Sequence, residues 1–249
     1  MKPVALLALG AASIGIGAGC DEPAPAPVQA TVVDRTAAER GAQLFADPRT
    51  STYPFNVYAC STCHDSAARG DVIRAGVPLA GAAVRPTYWG GSEIDLVRAV
   101  DHCLELFMLE DAPWTGDEDV AQSLYAYLEA LPAAGADREA QTYTFVVDIA
   151  NAPPGDAARG EAVYGRTCAT CHGASHTGVS KLVDFAPVLP EEALDAHPLG
   201  KYTPLQRRLV ILEKIRHGGF LGYGGQMPPF SREELSDSDL GDLLAMFGI

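Results

Sequence analysis

The sequence predicts an all-α protein made of two tandem helical domains. A Cys-x-x-Cys-His pentapeptide occurs twice, at residues 60–64 and 168–172. Segments with helical spacing precede and follow each pentapeptide, and these segments recur 119 positions apart. Because 249 residues allow two domains of about 100 residues each, we expect one domain at 36–131 and a second at 157–249.

The predicted helices at the two ends of each domain carry matching residues. On each opening helix a glycine is followed four positions later by an aromatic residue. The matched features are Gly41 and Phe45 on a helix over 37–46, Gly160 and Tyr164 on a helix over 157–166, and the closing segments 124–128 and 243–247. A further helix is predicted over 204–217. The first domain also has about eleven additional residues, in a Pro- and Thr-containing loop around 47–57.

Each pentapeptide is the attachment signal for a covalent c-type haem. Its two thiols form thioether bonds to the porphyrin, and the adjacent histidine binds the iron. The predicted attachment residues are Cys60, Cys63, Cys168 and Cys171, and the predicted iron ligands are His64 and His172. A bare Cys-x-x-Cys is also compatible with a redox dithiol or half a zinc site. Two complete copies in matching domains favour two covalently bound haem c groups.

With these motifs in this order, each half resembles the cytochrome c domain, over nearly all of 36–131 and 157–249. The resemblance implies that the first and last helices of each domain cross at the glycine, with the aromatic residue filling the crossing. In this family a proline after the pentapeptide offers its backbone carbonyl to the far nitrogen of the haem histidine. Pro78 and Pro187 stand at that place, 14 and 15 positions after their histidines. The alternative for each is an ordinary turn proline.

The sixth ligand of the second haem is predicted to be Met227. Residues 224–230, Gly-Gly-Gln-Met-Pro-Pro-Phe, resemble the methionine loop of cytochromes c. A thioether ligand opposite histidine raises the reduction potential of the iron. The competing interpretation of Met227 is a methionine that packs the core. Met246, on the closing helix, is expected to be such a core residue. The acidic turn 236–239 is expected to cap the closing helix.

The first domain offers two sixth ligands, Cys103 and Met108. Apolar residues at helical spacing from Leu96 onward place both side chains on the haem-facing stripe of one predicted helix. Met108 and Met227 share the offset of 119, which supports the methionine. Four of the six cysteines are expected to bind haem and Cys20 to carry lipid, so Cys103 is left as a single thiol, which supports the cysteine. Residues 103–110 also resemble the segment after the first haem of thiosulfate dehydrogenases and the haem site of the sulfur-oxidising SoxA subunit, and this resemblance implies a Cys103 ligand. Cys103 is favoured, with Met108 or a free thiol as the alternatives.

The N-terminal residues predict export. Residues 1–19 combine a positive start with a short, small and apolar stretch, which is typical of a signal peptide. Residues 17–20 resemble a bacterial lipoprotein signal, which implies that Cys20 is the lipidated first residue of the mature chain. Plain secretion is the alternative. Either route gives a periplasmic or otherwise extracytoplasmic protein, and residues 20–35 read as a Pro/Ala-rich tether.

The acidic composition bears on partners. A net charge of −14 argues against nucleic-acid binding, because phosphate attraction needs a basic face. It suits docking to a basic redox partner, either a free protein or a respiratory complex, although solubility alone is an equal explanation.

Several other residues carry weaker predictions. Arg85, Tyr88 and Trp89 lie where many c-type domains hold haem propionates, or else they anchor a loop. Residues 132–156 form a linker in which 142–149 is either a short strand or an extended strap across both domains. The remaining histidines are expected at polar surfaces or helix ends; they are His102, His176, His197 and His217.

These features predict an exported dihaem c-type cytochrome that performs one-electron transfer between redox partners. The alternative is an oxidoreductase like thiosulfate dehydrogenase, with catalysis at the haem near Cys103. This alternative is held second, because the resemblance around Cys103 is local and the segment after His172 shows no recognisable substrate site. Arginines that could bind an anion are also scarce near Cys103, Arg98 being the nearest.

Overall fold

α-Helices connected by loops and short 3₁₀ turns make up the part of the chain that the computed structural model describes, residues 35–219 and 225–249. The predicted signal peptide, Cys20, nearly all of the tether and Gly224 lie outside these residues. The helices are α1 (Arg35–Ala46), α2 (Cys60–Cys63), α3 (Leu96–Met108), α4 (Asp119–Ala130), α5 (Ala157–Thr167), α6 (Ala169–His172), α7 (Glu191–Ala196), α8 (Pro204–His217) and α9 (Asp237–Met246). No β-strand occurs among the described residues, where a single bridge joins Tyr88 and Glu93. The all-α prediction is confirmed.

Capping residues define where the longer helices begin and end. Thr203 precedes α8 and accepts a hydrogen bond from the Gln206 amide at 3.2 Å. Ser236 does the same for α9, where its hydroxyl accepts from the Asp239 amide at 3.0 Å. α3 ends at Leu109, whose φ of 58° lies in the left-handed region. The predicted bounds of α8 therefore match the structure, while α1 and α5 are each one or two residues longer than predicted.

The opening and closing helices of each half cross at a glycine. α1 packs on α4, and α5 packs on α9. A methyl group on Gly41 would collide with the backbone carbonyl of Ser123, and one on Gly160 would collide with that of Asp242. Beside the first crossing, Phe45 is 6% exposed and its ring lies 5.4 Å from that of Tyr127. Close backbone approach thus explains the repeated glycine, and burial of the aromatic ring contributes about 1.5–3 kcal/mol.

The two halves share part of their apolar core. The largest buried cluster surrounds α8 and α9, and it also contains Ile73 and Ala75 from the loop after the first pentapeptide. The Ile73 amide donates to the carbonyl of Arg166 at 2.8 Å, and the Arg166 side chain donates back to the carbonyl of Asp71 at 2.8 Å. The loop from the first half is therefore fixed against the second.

The linker between the halves is an extended strap. Residues 142–149 have no strand pairing, so the strand prediction is wrong. Tyr143 donates its hydroxyl to the carbonyl of Pro229 at 2.9 Å, while the Phe145 ring stacks on Trp89 with the planes 5° apart. The strap therefore contacts residues of both halves. No helix in the described residues has the length and hydrophobicity needed to cross a lipid bilayer.

Candidate functional site

The first pentapeptide folds as one helical turn. α2 carries Cys60 and Cys63, and the Thr62 hydroxyl accepts a hydrogen bond from the Ala59 amide at 3.1 Å. The His64 amide donates to the carbonyl of Cys60 at 2.9 Å. Because positions three apart share a helix face, the turn brings both thiols to one side with His64 immediately after them.

The His64 imidazole is oriented by a backbone carbonyl, but not by the predicted one. Its Nδ1 lies 2.8 Å from the carbonyl oxygen of Val77, thirteen positions along the chain. The Pro78 carbonyl instead accepts from the Arg85 guanidinium at 2.7 Å. The assignment of Pro78 to this hydrogen bond is therefore corrected to Val77. The proline still has a structural effect, because it holds the preceding residue in an extended conformation.

The surroundings of His64 keep its ring neutral and leave room for it. Burial lowers the pKa of His64, so the uncharged imidazole is the stable form. A methyl group on Gly76 would collide with the imidazole ring. With Nδ1–H donating to Val77, Nε2 carries the lone pair that a metal requires.

The second pentapeptide is built in the same way on α5 and α6. His172 Nδ1 lies 2.9 Å from the carbonyl of Pro187, which is the hydrogen bond predicted for this proline. Burial lowers the pKa of His172 as well. The Leu182 amide donates to the Cys171 carbonyl at 3.0 Å, which fixes the following loop against the motif.

A cavity of about 170 Å³ opens beside the first pentapeptide. Cys60, Cys63 and His64 line it, together with largely apolar side chains of α3 and α4. The strap and the second half also contribute to its wall, through Tyr143, Pro228 and Pro229. An apolar cavity with two thiols and a neutral imidazole is suited to a large flat hydrophobic group with a metal at its centre.

Both predicted sixth ligands of the first site, Cys103 and Met108, line this cavity. Met108 is 4% exposed and packs with Tyr58 and Leu104 in a small buried cluster. Burial raises the pKa of the Cys103 thiol, and negative charge on Cys60 and Cys63 adds to this effect. Both side chains are therefore in the wall of the cavity that contains the first pentapeptide, and Met108 is also packed in a buried cluster.

Met227 lies in a loop tied to both halves. Its side chain is partly buried against the large cluster of the second half, and its carbonyl accepts from the Gly219 amide at 2.7 Å. On one side of it, the Gln226 side chain donates to the carbonyl of Phe107 on α3 at 3.2 Å. Met246 also packs against the large cluster from α9, as expected of a core residue.

The two pentapeptides lie close together. Burial raises the pKa of the Cys63 thiol to about 12, and negative charge on Cys171 contributes to the increase. Cys171 also packs against the buried cluster that contains Tyr58. Burial raises the pKa of both thiols, and the positive charge of the Arg74 guanidinium lowers it again at Cys63 and at Cys171. Arg74 itself is held by Asp65 at 2.8 Å.

The residues considered for haem propionates are loop anchors in this structure. Arg85 is 8% exposed and donates to the backbone carbonyls of Pro78, Ala80 and Asp137. Tyr88 donates to the carbonyl of Ala82 at 2.8 Å, and Trp89 to that of Ala99 at 3.0 Å. These backbone hydrogen bonds favour the loop-anchor interpretation of Arg85, Tyr88 and Trp89 over propionate binding.

The remaining histidines pair with other groups of the protein. His102 and His176 face Glu93 and Glu191, His197 contacts the Ala193 carbonyl, and His217 at the end of α8 contacts Glu213 and Val146. Within 35–219 and 225–249, no three His, Cys, Asp or Glu side chains are grouped to hold a bare metal ion. All five cysteines in these ranges are free thiols.

Sequence reasoning missed several residues of the site: Tyr58, Arg74, Gly76, Val77 and Tyr143. Their roles depend on contacts between segments distant in sequence. The one available signal was the Val77-Pro78 step, because a residue before proline is restricted to extended conformations.

Comparison with protein families gives a match over most of the second half of the chain. Residues 155–245 match the protein family described as cytochrome C oxidase, cbb3-type, subunit III. This part of the chain is a cytochrome c-type domain. A cytochrome c-type domain implies covalently bound haem c and electron transfer. The free thiols, neutral histidine and carbonyl partner of the second pentapeptide fit that group.

A solved structure of thiosulfate dehydrogenase (TsdBA) from Marichromatium purpuratum, in the "as isolated" form, is similar at a TM-score of 0.38 and 19% sequence identity. The match covers 85% of this chain and 45% of the other, so this chain spans a little under half of that protein. No curated protein sequence matches the chain.

Proposed function

We propose that this chain is an exported dihaem c-type cytochrome that transfers one electron at a time between redox partners. The observation that carries the proposal is the repeated construction of the two pentapeptides. Each has two free thiols and a histidine whose Nδ1 is hydrogen bonded to a backbone carbonyl, Val77 in one copy and Pro187 in the other. Only the second copy lies in the matched cytochrome c-type region, so the first haem follows from this shared construction.

Each group of residues has a defined role in this proposal. Bound haem supplies an iron that accepts and releases one electron. Cys60 and Cys63 hold the first haem, Cys168 and Cys171 hold the second, and His64 and His172 are the fifth ligands. The two carbonyl acceptors fix the tautomer and orientation of the imidazoles.

The sixth ligands are proposed to be Cys103 at the first haem and Met227 at the second. Cys103 and Met108 both line the first cavity, but Met108 is also packed with Tyr58 and Leu104, which supports Cys103 as the ligand. A thiolate lowers the reduction potential and a thioether raises it, so the two haems would differ in potential. Cys171 of the second pentapeptide packs against the buried cluster of Tyr58, Leu104 and Met108 in the first half, which supports transfer between two closely spaced haems.

Export and partner choice extend the proposal beyond the described residues. The signal peptide and Cys20 give a periplasmic protein tethered to a membrane by lipid. The net charge of −14 favours a basic redox partner, whose approach it would steer. Such a partner is a soluble redox protein or a subunit of a respiratory complex.

A second candidate function is oxidation of an inorganic sulfur compound at the first haem, as in thiosulfate dehydrogenase. The position of Cys103 in the first cavity favours it. The arginines argue against an anion site there. Arg98 is 67% exposed and paired with Glu93, and Arg85 donates to three backbone carbonyls.

The test uses the full chain produced with cytochrome maturation. A reductive titration should consume two electrons per chain, and electron paramagnetic resonance should show one thiolate-type and one methionine-type low-spin haem. Thiosulfate should not be turned over. Uptake of one electron per chain would overturn the dihaem proposal, and catalytic thiosulfate oxidation would establish the second candidate.

Two matched variants assign the ligand of the first haem. Cys103→Ser should abolish the thiolate-type signal, whereas Met108→Leu should leave it in place. The opposite pattern, loss of a signal only in Met108→Leu, would assign Met108 instead of Cys103.

A further inference from the structure

The Met227 loop forms part of both candidate haem sites. Met227 packs against the large cluster of the second half. The next two residues, Pro228 and Pro229, line the cavity beside the first pentapeptide. A movement of this short segment therefore alters both sites.

Two hydrogen bonds tie the loop to the side of the first cavity, one on each side of Met227. Before it, the Gln226 amide group donates to the Phe107 carbonyl at 3.2 Å. After it, the Tyr143 hydroxyl donates to the Pro229 carbonyl at 2.9 Å. Phe107 and Tyr143 both line the first cavity.

Tyr143 is itself held firmly enough to act as a support. Its ring packs edge-on against Phe145 with centroids 5.0 Å apart. The next residue, Thr144, donates to the Glu233 carboxylate through its amide at 2.9 Å and its hydroxyl at 2.6 Å. Beyond the loop, the Phe230 amide donates to the Ile215 carbonyl at 3.0 Å. Between these fixed points the Met227 carbonyl also accepts from the Gly219 amide at 2.7 Å, so the hydrogen bonds of Gln226 and Tyr143 are two further ties on a segment held mainly by its backbone.

From this geometry we infer that Tyr143 is a positioning residue for the sixth ligand of the second haem. The inference rests on the proposed function. Tyr143 reaches from the strap in the wall of the first site and holds the carbonyl two residues after Met227. Gln226 acts in the same direction from the other side. Loss of either hydrogen bond leaves the segment less firmly held and raises the fraction of molecules in which Met227 has left the iron.

The test compares two Tyr→Phe variants. One removes a hydroxyl that is hydrogen bonded, and the other removes a hydroxyl that has no hydrogen-bond partner among the described residues. Tyr143→Phe removes the hydroxyl bonded to Pro229. Tyr125→Phe removes a buried hydroxyl on α4 that has no hydrogen-bond partner in the described residues. Both variants keep the ring, so both should fold. Imidazole is titrated into the ferric holoprotein while the far-red sulfur-to-iron absorption band is followed, because imidazole binds only where Met227 has dissociated.

Tyr143→Phe should bind imidazole about fivefold more tightly than the wild type, as expected for the loss of one hydrogen bond. Its second haem should also have a lower reduction potential. Gln226→Ala should change both quantities in the same direction, and Tyr125→Phe should change neither. Equal behaviour of Tyr143→Phe and Tyr125→Phe would overturn the inference.

Met227→Ala separates the failure of this inference from that of the proposed function. If Met227→Ala leaves the far-red band intact, Met227 is not the ligand, and both the ligand assignment and the inference fail. If it abolishes the band while Tyr143→Phe resembles the wild type, the ligand assignment stands and the positioning role alone is wrong.

Discussion

Arg74 donates to the carbonyl of Thr62 inside the first pentapeptide at 3.2 Å, and its positive charge acts on cysteines of both pentapeptides. It lowers the pKa of the Cys63 and Cys171 thiols, and its ion pair with Asp65 fixes the guanidinium. The Arg74 side chain is 24% exposed, so its charge is only partly screened by water. A positive charge in this position raises the reduction potential of a redox group bound to either motif.

Arg74→Gln should lower the reduction potential of both haems. A nearby positive charge disfavours the oxidised iron, so its removal stabilises the ferric state, and the Asp65 carboxylate left behind adds to the effect. Potentiometric titration followed by absorbance measures the change.

Arg49→Gln is the matched control, because Arg49 pairs with Asp47 in a similar ion pair but its side chain is 89% exposed. It should leave both potentials unchanged. An equal shift in the two variants would mean that Arg74 has no specific influence on the pentapeptides.

Among the helices, the crossing of α5 and α9 depends on close backbone contact. Gly160 faces the carbonyl of Asp242 and the Met246 side chain, whereas a methyl group on Gly165, in the same helix, would meet no other atom within 4 Å. Two glycine-to-alanine changes in one helix therefore differ only in their surroundings.

Gly160→Ala should destabilise the protein by about 1–3 kcal/mol or more, the cost of overpacking against backbone that cannot move aside. Gly165→Ala should instead stabilise it by about 0.5–1 kcal/mol, because alanine favours the helix. Denaturant unfolding followed by far-ultraviolet circular dichroism measures both. Similar changes in the two variants would contradict the glycine crossing.

The strap is held to the second half by a carboxylate with a perturbed pKa. Burial alone would raise the pKa of Glu233, but the hydrogen bonds from Thr144 outweigh it and lower the pKa to about 2. The unfolded chain has the ordinary glutamate value of about 4.3. The contribution of Glu233 to stability is therefore complete above about pH 5, begins to be lost as the pH falls through the unfolded value of about 4.3, and is gone below about 2.

Glu233→Gln should lower the free energy of unfolding near pH 6, and its difference from the wild type should shrink as the pH approaches 2. Glu129→Gln, which changes an exposed carboxylate near the end of α4, serves as the control. Unfolding midpoints at several pH values supply the comparison. A difference that stays constant with pH would show that the Glu233 carboxylate does not anchor the strap through its charge.

Across the whole molecule, the sequence predicted features that depend on neighbouring residues better than features that depend on contacts between distant segments. Helical spacing and capping residues sufficed for α8 and α9, since these features act within a few residues. The carbonyl partner of His64 was misassigned by one residue, because the path of a loop decides which carbonyl reaches the ring. The roles of Arg74 and Tyr143 could not be read from the sequence, because they depend on how the strap and loops bring the two halves together.

The number of porphyrins attached to one chain tests the central claim most directly. Mass spectrometry of the purified protein under denaturing conditions, after production with cytochrome maturation, should show the mature polypeptide plus two haem masses. The double variant Cys168→Ala and Cys171→Ala should retain one haem, as should Cys60→Ala with Cys63→Ala. A wild-type chain that carries one haem or none would contradict the claim that both pentapeptides are attachment sites.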